Sequence, residues 1–204
     1  MSTNSNFFIR RLHSLLGLIP IGIFLFVHLT INSTVLFGGY SSYELTIRGM
    51  KNIPLIIVAE LLIIAIPIIF HGLYGLWIVY IAKNNVLKFT YYRNWAFYLQ
   101  RITAVITLIF VLFHVYTLRL MQHEPDAIIN TFVAYLQNPM YFALYIIGVL
   151  AAVYHFANGL FTFLITWGIT IGPRSQSFIT KLSVIVFVIM SIWGVSVLTT
   201  ISKL

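Results

Sequence analysis

Five long apolar runs constrain this chain more than any other feature of its sequence. They cover residues 12–37, 54–82, 95–120, 139–167 and 178–201. About 20 helical residues span the hydrocarbon core of a bilayer, where each backbone polar group must be satisfied within its own segment. Proline, glycine, asparagine or charge bounds each run, as is typical of helix ends. The sequence therefore predicts an all-α bundle of five transmembrane helices.

Composition supports a membrane protein. Of the 204 residues, 60% are hydrophobic and only 8% are charged, whereas soluble domains carry about 25% charged residues. No polar stretch is long enough to fold separately, so we expect residues 1–204 to form a single domain. Cysteine is absent, which excludes disulfides and thiolate metal sites within the chain and leaves histidine as its main soft ligand.

Charged residues divide unevenly between the two ends of the predicted bundle. The end that holds the N-terminus, here called the basic end, has no acid and eight bases: Arg10, Arg11, Lys83, Lys88, Arg93, Arg101, Arg174 and Lys181. The opposite, neutral end has four bases and all four acids: Arg48, Lys51, Arg119, Lys203, Glu44, Glu60, Glu124 and Asp126. Basic residues mark the cytoplasmic side, so we predict a cytoplasmic N-terminus and an external C-terminus. This distribution indicates membrane topology, or a docking surface for a partner, rather than nucleic-acid binding.

Four histidines lie inside the first four runs, one in each: His28, His71, His114 and His155. At about 1.5 Å of rise per residue, His28 and His114 lie near the external edge, and His71 and His155 lie toward the cytoplasmic side. Small or polar residues share each histidine's helical face, as Gly17 does with His28, and such faces normally turn toward a bundle interior. A single membrane histidine is usually ordinary packing. Two depth-matched pairs instead indicate bis-histidine ligation of two b haems.

The second run carries two further features. Pro67 precedes His71 by about one turn and is expected to kink the helix. Glu60 is the only acid inside a run and lies about 16 Å external to His71 on nearly the same face. An intramembrane carboxyl is a candidate for proton transfer. The alternative is that Glu60 extends to the external interface.

Several polar residues near the basic end could contact a cofactor. Haem propionates need cationic or hydroxyl partners, and the cationic candidates are Arg10, Arg11, Arg93 and Arg101. His13, beside Ser14, could bond a haem propionate or a quinone oxygen. The alternative for His13 is ordinary chemistry at the membrane interface.

Short stretches distributed over the chain resemble a known family. They are FIRRLHSLLG at residues 8–17, RNW at 93–95, LQR at 99–101, HFANG at 155–159, TWGIT at 166–170 and PRSQ at 173–176. Together they resemble the cytochrome b558 subunit of succinate:menaquinone oxidoreductase, of the five-helix, two-haem type of Gram-positive bacteria. The stretch that begins at His155 is the most specific. The membrane subunit of menaquinol:fumarate reductase is a more distant likeness.

This resemblance implies axial ligation by His28 with His114 and by His71 with His155. It implies a multi-pass protein of the bacterial cytoplasmic membrane, with a flavoprotein subunit and an iron–sulfur subunit docked at the cytoplasmic face. The succinate site would then lie on another subunit, and electrons would pass through the inner and outer haems to menaquinone. Glu60 matches a glutamate linked in relatives to the protonation of menaquinone.

Two other functions stay open at this point. A cytochrome b subunit of a hydrogenase or formate dehydrogenase also has bis-histidine helices, although the local motifs favour the first interpretation. A proton-coupled transporter could use the histidines and Glu60. Five spans without an inverted repeat, and only one helix with a central proline, count against a transporter.

Overall fold

The computed structural model describes residues 3–204, which are helical throughout apart from short connections. The helices are α1 Thr3–Leu18, α2 Pro20–Asn32, α3 Thr34–Lys51, α4 Ile56–Ala59, α5 Ile66–Ile81, α6 Tyr92–Val115, α7 Pro125–Gln137, α8 Pro139–Thr166 and α9 Pro173–Ile201. Two π-helical segments, Glu60–Ala65 and Tyr116–Leu120, join α4 to α5 and extend α6. No strand occurs among the described residues.

Five helical segments within residues 3–204 are long and apolar enough to cross a membrane. They are Asn6–Asn32, Ile56–Ile81, Tyr92–Leu120, Pro139–Thr166 and Pro173–Ile201. The predicted all-α, five-span architecture is therefore confirmed. Exposed apolar side chains such as Leu73, Ile109 and Ile189 cover the outside of the bundle, as expected for surfaces that face lipid rather than water.

The span bounds differ from the predicted runs where polar residues continue or end a helix. The predicted bounds 54–82 and 139–167 were slightly too wide, and those beginning at 95 and 178 were too short, because Tyr92 and Pro173 already start helices. Proline is favoured in the first turn of a helix, where its missing N–H costs no hydrogen bond. Asn138 caps α8 by accepting from the backbone N–H groups of Met140 and Tyr141.

The first run was predicted to end at residue 37, and this bound is wrong. The span ends at Asn32, and residues 34–37 begin α3. Helices α3 and α7 pack together at the neutral end of the bundle. They close that end with a buried cluster: Val35, Tyr43, Leu118, Ile129, Phe132, Leu136, Tyr145, Val197, Leu198 and Ile201.

The helix around Pro67 is irregular ahead of the proline rather than at it. Proline lacks an N–H, and its ring clashes with the carbonyl four residues earlier. The preceding segment Glu60–Ala65 is π-helical, and such a widened turn accommodates a local disruption of the regular hydrogen-bond ladder. Regular α-helix resumes at Ile66 and includes His71. The predicted interruption of the second run thus takes the form of a π-helical segment.

Helix α8 lies at the centre of the bundle, where it packs against α1, α6, α7 and α9. Small residues make this possible, since Ala151 and Ala157 are almost completely buried and a side chain at Gly194 of α9 would meet Val149 at 2.7 Å. In membranes, small residues allow helix backbones to approach closely. This central helix carries His155 and brings it near both α5 and α6.

Candidate functional site

His71 on α5 and His155 on α8 form the pair nearer the basic end, here called the inner pair. Their ring centroids are 6.0 Å apart and their planes are nearly perpendicular, at 82°. The Nδ1 of His71 lies 3.0 Å from the carbonyl oxygen of His13, and the Nδ1 of His155 lies 3.1 Å from that of Gln100. A carbonyl can only accept, so both Nδ1 atoms are donors in this arrangement. In the neutral imidazole, Nε2 then carries the lone pair that can bind a metal.

His28 on α2 and His114 on α6 form the pair nearer the neutral end, here called the outer pair. Their ring centroids are 5.7 Å apart, and their planes meet at 86°. The Nδ1 of His114 is buried and has no hydrogen-bond partner. Around this ring lie Phe110, Phe132 and Tyr145, with centroids 5.7, 6.5 and 5.9 Å away.

Both pairs have the spacing that two axial ligands need. With metal–imidazole bonds of about 2 Å, the centroids of two opposed imidazoles lie roughly 6 Å apart. Within residues 3–204, no group of three or more histidine, cysteine or acidic side chains could hold a metal. A metal between either pair therefore needs its remaining ligands from another source, and a porphyrin supplies four nitrogens. The residues present fit a haem.

Polar side chains tie α6 to α8 beside the inner pair. Gln100 donates from Nε2 to the carbonyl of His155 at 3.0 Å. Asn158, itself buried, donates to Gln100 Oε1 at 2.8 Å and to the carbonyl of Ala96 at 3.2 Å. Together, Gln100 and Asn158 fix the height and rotation of His155 against α6. Asn158 was not predicted as a site residue, although an asparagine three positions after a membrane histidine was the available signal.

Glycine allows α1 to approach the inner pair. A Cβ built on Gly17 would lie 2.3 Å from Cε1 of His71, which is closer than packed atoms approach. Gly17 was predicted to share the face of His28, but it lies against His71 instead. The helix is interrupted between α1 and α2, and α1 packs on α5 at this level.

The remaining predicted residues near the basic end differ in their distance from the inner pair. His13 stacks on His71 with centroids 4.1 Å apart, and its Nε2 is buried without a partner. The guanidinium of Arg11 lies over Trp167, and that of the exposed Arg93 lies over Phe161. Arg10 is exposed, Ser14 is partly buried, and Arg101 lies in a groove lined by no histidine.

Glu60 forms an ion pair at the neutral end of the second span. Its Oε2 lies 2.7 Å from Nη2 and 3.0 Å from Nε of Arg119, which belongs to the third span. The two side chains are 35% and 44% exposed. The predicted Glu60 is therefore at the edge of the bundle, and its partner Arg119 was not predicted.

Comparisons with known proteins decide the family. The sequence model of the succinate dehydrogenase/fumarate reductase transmembrane subunit family matches residues 82–195. The succinate dehydrogenase cytochrome b558 subunit of Bacillus subtilis (strain 168) is 43% identical over 195 residues, which cover 95% of this chain and 96% of that relative. The chain belongs to this transmembrane subunit family.

Membership in this family confirms the resemblance inferred from the short stretches, which included the one beginning at His155. Together with the five spans, it makes the chain a bacterial multi-pass membrane protein and fits a role as membrane anchor. The comparisons do not favour a transporter, a hydrogenase or a formate dehydrogenase. The individual ligand assignments stay predictions, although the structure brings together the histidines that were paired by depth.

Proposed function

We propose that the protein is the membrane-anchor and electron-transfer subunit of a succinate dehydrogenase. It would pass electrons from an iron–sulfur subunit through two b haems to menaquinone. The observation that carries this proposal is the occurrence of two partly buried histidine pairs at different levels of one five-span bundle. The family also includes fumarate reductase subunits, so the reverse reaction is a second candidate, and the name of the Bacillus subtilis relative favours the first.

In this proposal, His71 and His155 hold the inner haem, and His28 and His114 hold the outer one. A bound haem supplies reversible one-electron chemistry at its iron. The carbonyls of His13 and Gln100 orient the inner imidazoles and increase their basicity. Hydroxyl and cationic partners for propionates or a quinone would come from the basic end: Arg10, Arg11, His13, Ser14 and Arg93.

The distribution of charge supports docking of the catalytic subunits at the basic end. Three of the acids form ion pairs at the neutral end. Glu44 pairs with Arg48 within α3, while Asp126 with Arg48 and Glu124 with Lys51 join the start of α7 to α3. The fourth acid, Glu60, pairs with Arg119. With Lys203, the neutral end has four bases and four acids, so the eight bases of the opposite end account for the net charge of +8. Such a surface suits an acidic partner, here the iron–sulfur subunit together with the flavoprotein subunit that would carry the succinate site.

Glu60 is the proposed proton donor for reduced menaquinone near the outer pair. The ion pair with Arg119 holds its carboxylate at the neutral end, where water is accessible. With the basic end in the cytoplasm, this carboxylate would take its proton from the external side. The whole chain of 204 residues would act as one transmembrane domain in the cytoplasmic membrane.

Haem stoichiometry in the purified complex tests this proposal. We expect two b haems per chain in a reduced-minus-oxidised spectrum calibrated by haem extraction. Substituting His71 or His155 with alanine should remove only the inner haem, and substituting His28 or His114 only the outer one. The retained haem in each variant shows that the bundle is folded, and the exposed His123 provides a control alanine variant. A complex without a b-type band would refute the proposal.

A further inference from the structure

A groove of about 300 Å³ opens between α5 and α6 toward the basic end. Its walls are mostly apolar and include Val79 of α5 together with Ile102, Val105 and Ile106 of α6. Asn84, Tyr98 and Arg101 provide its polar lining. Since Asn84 and Ile102 are exposed, the groove reaches the outer surface of the bundle, which faces lipid.

Arg101 is a nearly buried cation with only neutral partners. The residue is 8% exposed. Its Nη2 donates to Oδ1 of Asn84, and its guanidinium carbon lies 4.3 Å from the centroid of the Phe97 ring. Its Nη1 is buried and has no hydrogen-bond partner. All four acids of the chain are at the opposite end. A charge removed from water without a counter-ion is costly, so an anionic group bound beside Arg101 would stabilise it.

We propose that the groove binds one anionic phospholipid, with its phosphate on Arg101 and an acyl chain along Val79, Val105 and Ile106. Arginine matches the geometry of phosphate oxygens with two parallel N–H donors. Basic pockets between membrane helices are a known class of lipid headgroup site. Asn84 and the Phe97 ring hold the guanidinium in place before the lipid arrives, which lowers the entropic cost of binding.

Other occupants fit less well. A quinone is neutral and would leave the charge of Arg101 uncompensated. A haem propionate is charged, but no histidine lines the groove. On α6 the residue that faces His155 is Gln100, and Arg101 points about 100° away from it around the helix. Val79 lies eight residues beyond His71, or about 12 Å along α5. The lipid site does not depend on the proposed haem ligation.

Lipid retention in the purified complex tests the site. Native mass spectrometry of the wild type in mild detergent should show about one anionic phospholipid retained per chain, and washing with inorganic phosphate should not remove it. Arg101→Gln should lose this lipid. Val105→Trp, which fills the groove and keeps the cation, should lose it as well. Arg93→Gln, which changes an exposed arginine of the same end, should retain it.

Thermal unfolding in nanodiscs gives a second measurement that does not require a lipid to survive purification. The wild type should be more stable in nanodiscs containing phosphatidylglycerol than in phosphatidylcholine alone, and Arg101→Gln should reduce this difference several-fold. The proposal is overturned if both groove variants retain the lipid, or if a quinone is recovered in its place. Loss of the inner haem from Arg101→Gln, with lipid retention unchanged, would instead assign Arg101 to a propionate.

Discussion

The inner and outer histidine pairs have almost the same geometry but different surroundings. Both place two imidazoles about 6 Å apart with perpendicular planes. In the inner pair, each Nδ1 donates to a carbonyl of a neighbouring helix, α1 for His71 and α6 for His155. In the outer pair, the Nδ1 of His114 has no partner, and aromatic rings enclose the side chain.

This difference indicates two ways to hold a histidine ring in place within a membrane bundle. Directional hydrogen bonds orient the inner imidazoles, so the inner site depends on polar residues of other helices. Packing orients His114, so the outer site depends on the volume of its aromatic neighbours. His28 also has a polar support, because Asn32 donates to its backbone carbonyl and accepts from the buried Tyr43. Substitutions that act on one mechanism should therefore affect one haem.

The largest expected effect comes from glycine substitutions beside each pair. Gly17→Val should displace His71 and reduce inner haem occupancy by about tenfold or more, since overpacking typically costs 1–3 kcal/mol. Gly148→Val should act on the outer haem instead, because a Cβ there would lie 2.2 Å from Phe110, which packs on His114. Haem content per chain measures both effects.

The control for these variants is Gly49→Ala on α3, where a Cβ would meet nothing within 4 Å. It should leave both haems bound. Equal loss of both haems from Gly17→Val would contradict the separation into two independently supported sites and would indicate general destabilisation of the bundle.

The next effect concerns the polar contacts between α6 and α8. Asn158→Leu leaves Gln100 Oε1 without this donor and should weaken the inner site by about 1–3 kcal/mol, the cost of an unsatisfied buried polar group. The outer haem should stay bound. Haem release during thermal unfolding, followed separately at the two haem bands, measures this selectivity.

Thr103→Val is a matched control on α6, because its hydroxyl bonds only within its own helix. If Asn158→Leu released the outer haem as early as the inner one, the contacts of Gln100 and Asn158 would have no specific role in holding His155.

Much of this arrangement could be predicted from the sequence, because length and depth are local properties. The number of spans follows from the apolar runs, and the two histidine pairs follow from counting residues along helices of opposite direction. Helices α3 and α7 were missed because hydropathy identifies segments that cross a bilayer, whereas these helices lie at its edge and mix polar with apolar residues. Gly39, with φ of 59° and ψ of −150°, also kinks α3, so this segment is not one continuous regular helix.

The partners of the site residues could not be predicted, because they depend on which helices are neighbours. Arg119 meets Glu60 across 59 positions of sequence, and Gln100 meets His155 across 55. The stacking of His13 on His71 likewise requires α1 to pack on α5. Pro67 indicated an irregular helix, but a single sequence does not show that the irregularity is a π-helical segment ahead of the proline.

Glu60 is proposed to serve the outer level only, so its substitution should separate proton chemistry from haem binding. Glu60→Gln should slow menaquinone reduction by roughly tenfold, at the lower end for loss of a general acid, while both haems stay bound. Succinate oxidation with an artificial acceptor that takes electrons before the haems should be unchanged. Glu44→Gln, which alters another acid paired to an arginine of the neutral end, is the control. Unchanged menaquinone turnover in Glu60→Gln would refute the proton role.

The smallest expected effect concerns Tyr43, which links α3 to the outer pair. Its hydroxyl donates to Oδ1 of Asn32 at 3.0 Å, and Asn32 in turn donates to the carbonyl of His28 at 2.8 Å. Tyr43→Phe should therefore cost about 1 kcal/mol of stability and shift the electron paramagnetic resonance signal of the outer haem only. A shift confined to the inner haem would contradict the proposed link.

Titration gives an independent check of the buried Tyr43 phenol. Burial raises the pKa of Tyr43 above its ordinary value, and the nearby Tyr145 raises it further. Below the unfolded pKa of about 10, the phenol is protonated in both states and its contribution to stability is complete. Above this pH, the unfolded chain loses the proton first, so stability falls as pH rises toward the folded pKa. Thermal unfolding of wild type and Tyr43→Phe should therefore show a steeper loss above pH ~10 in the wild type, and equal slopes would mean that the phenol is accessible to solvent.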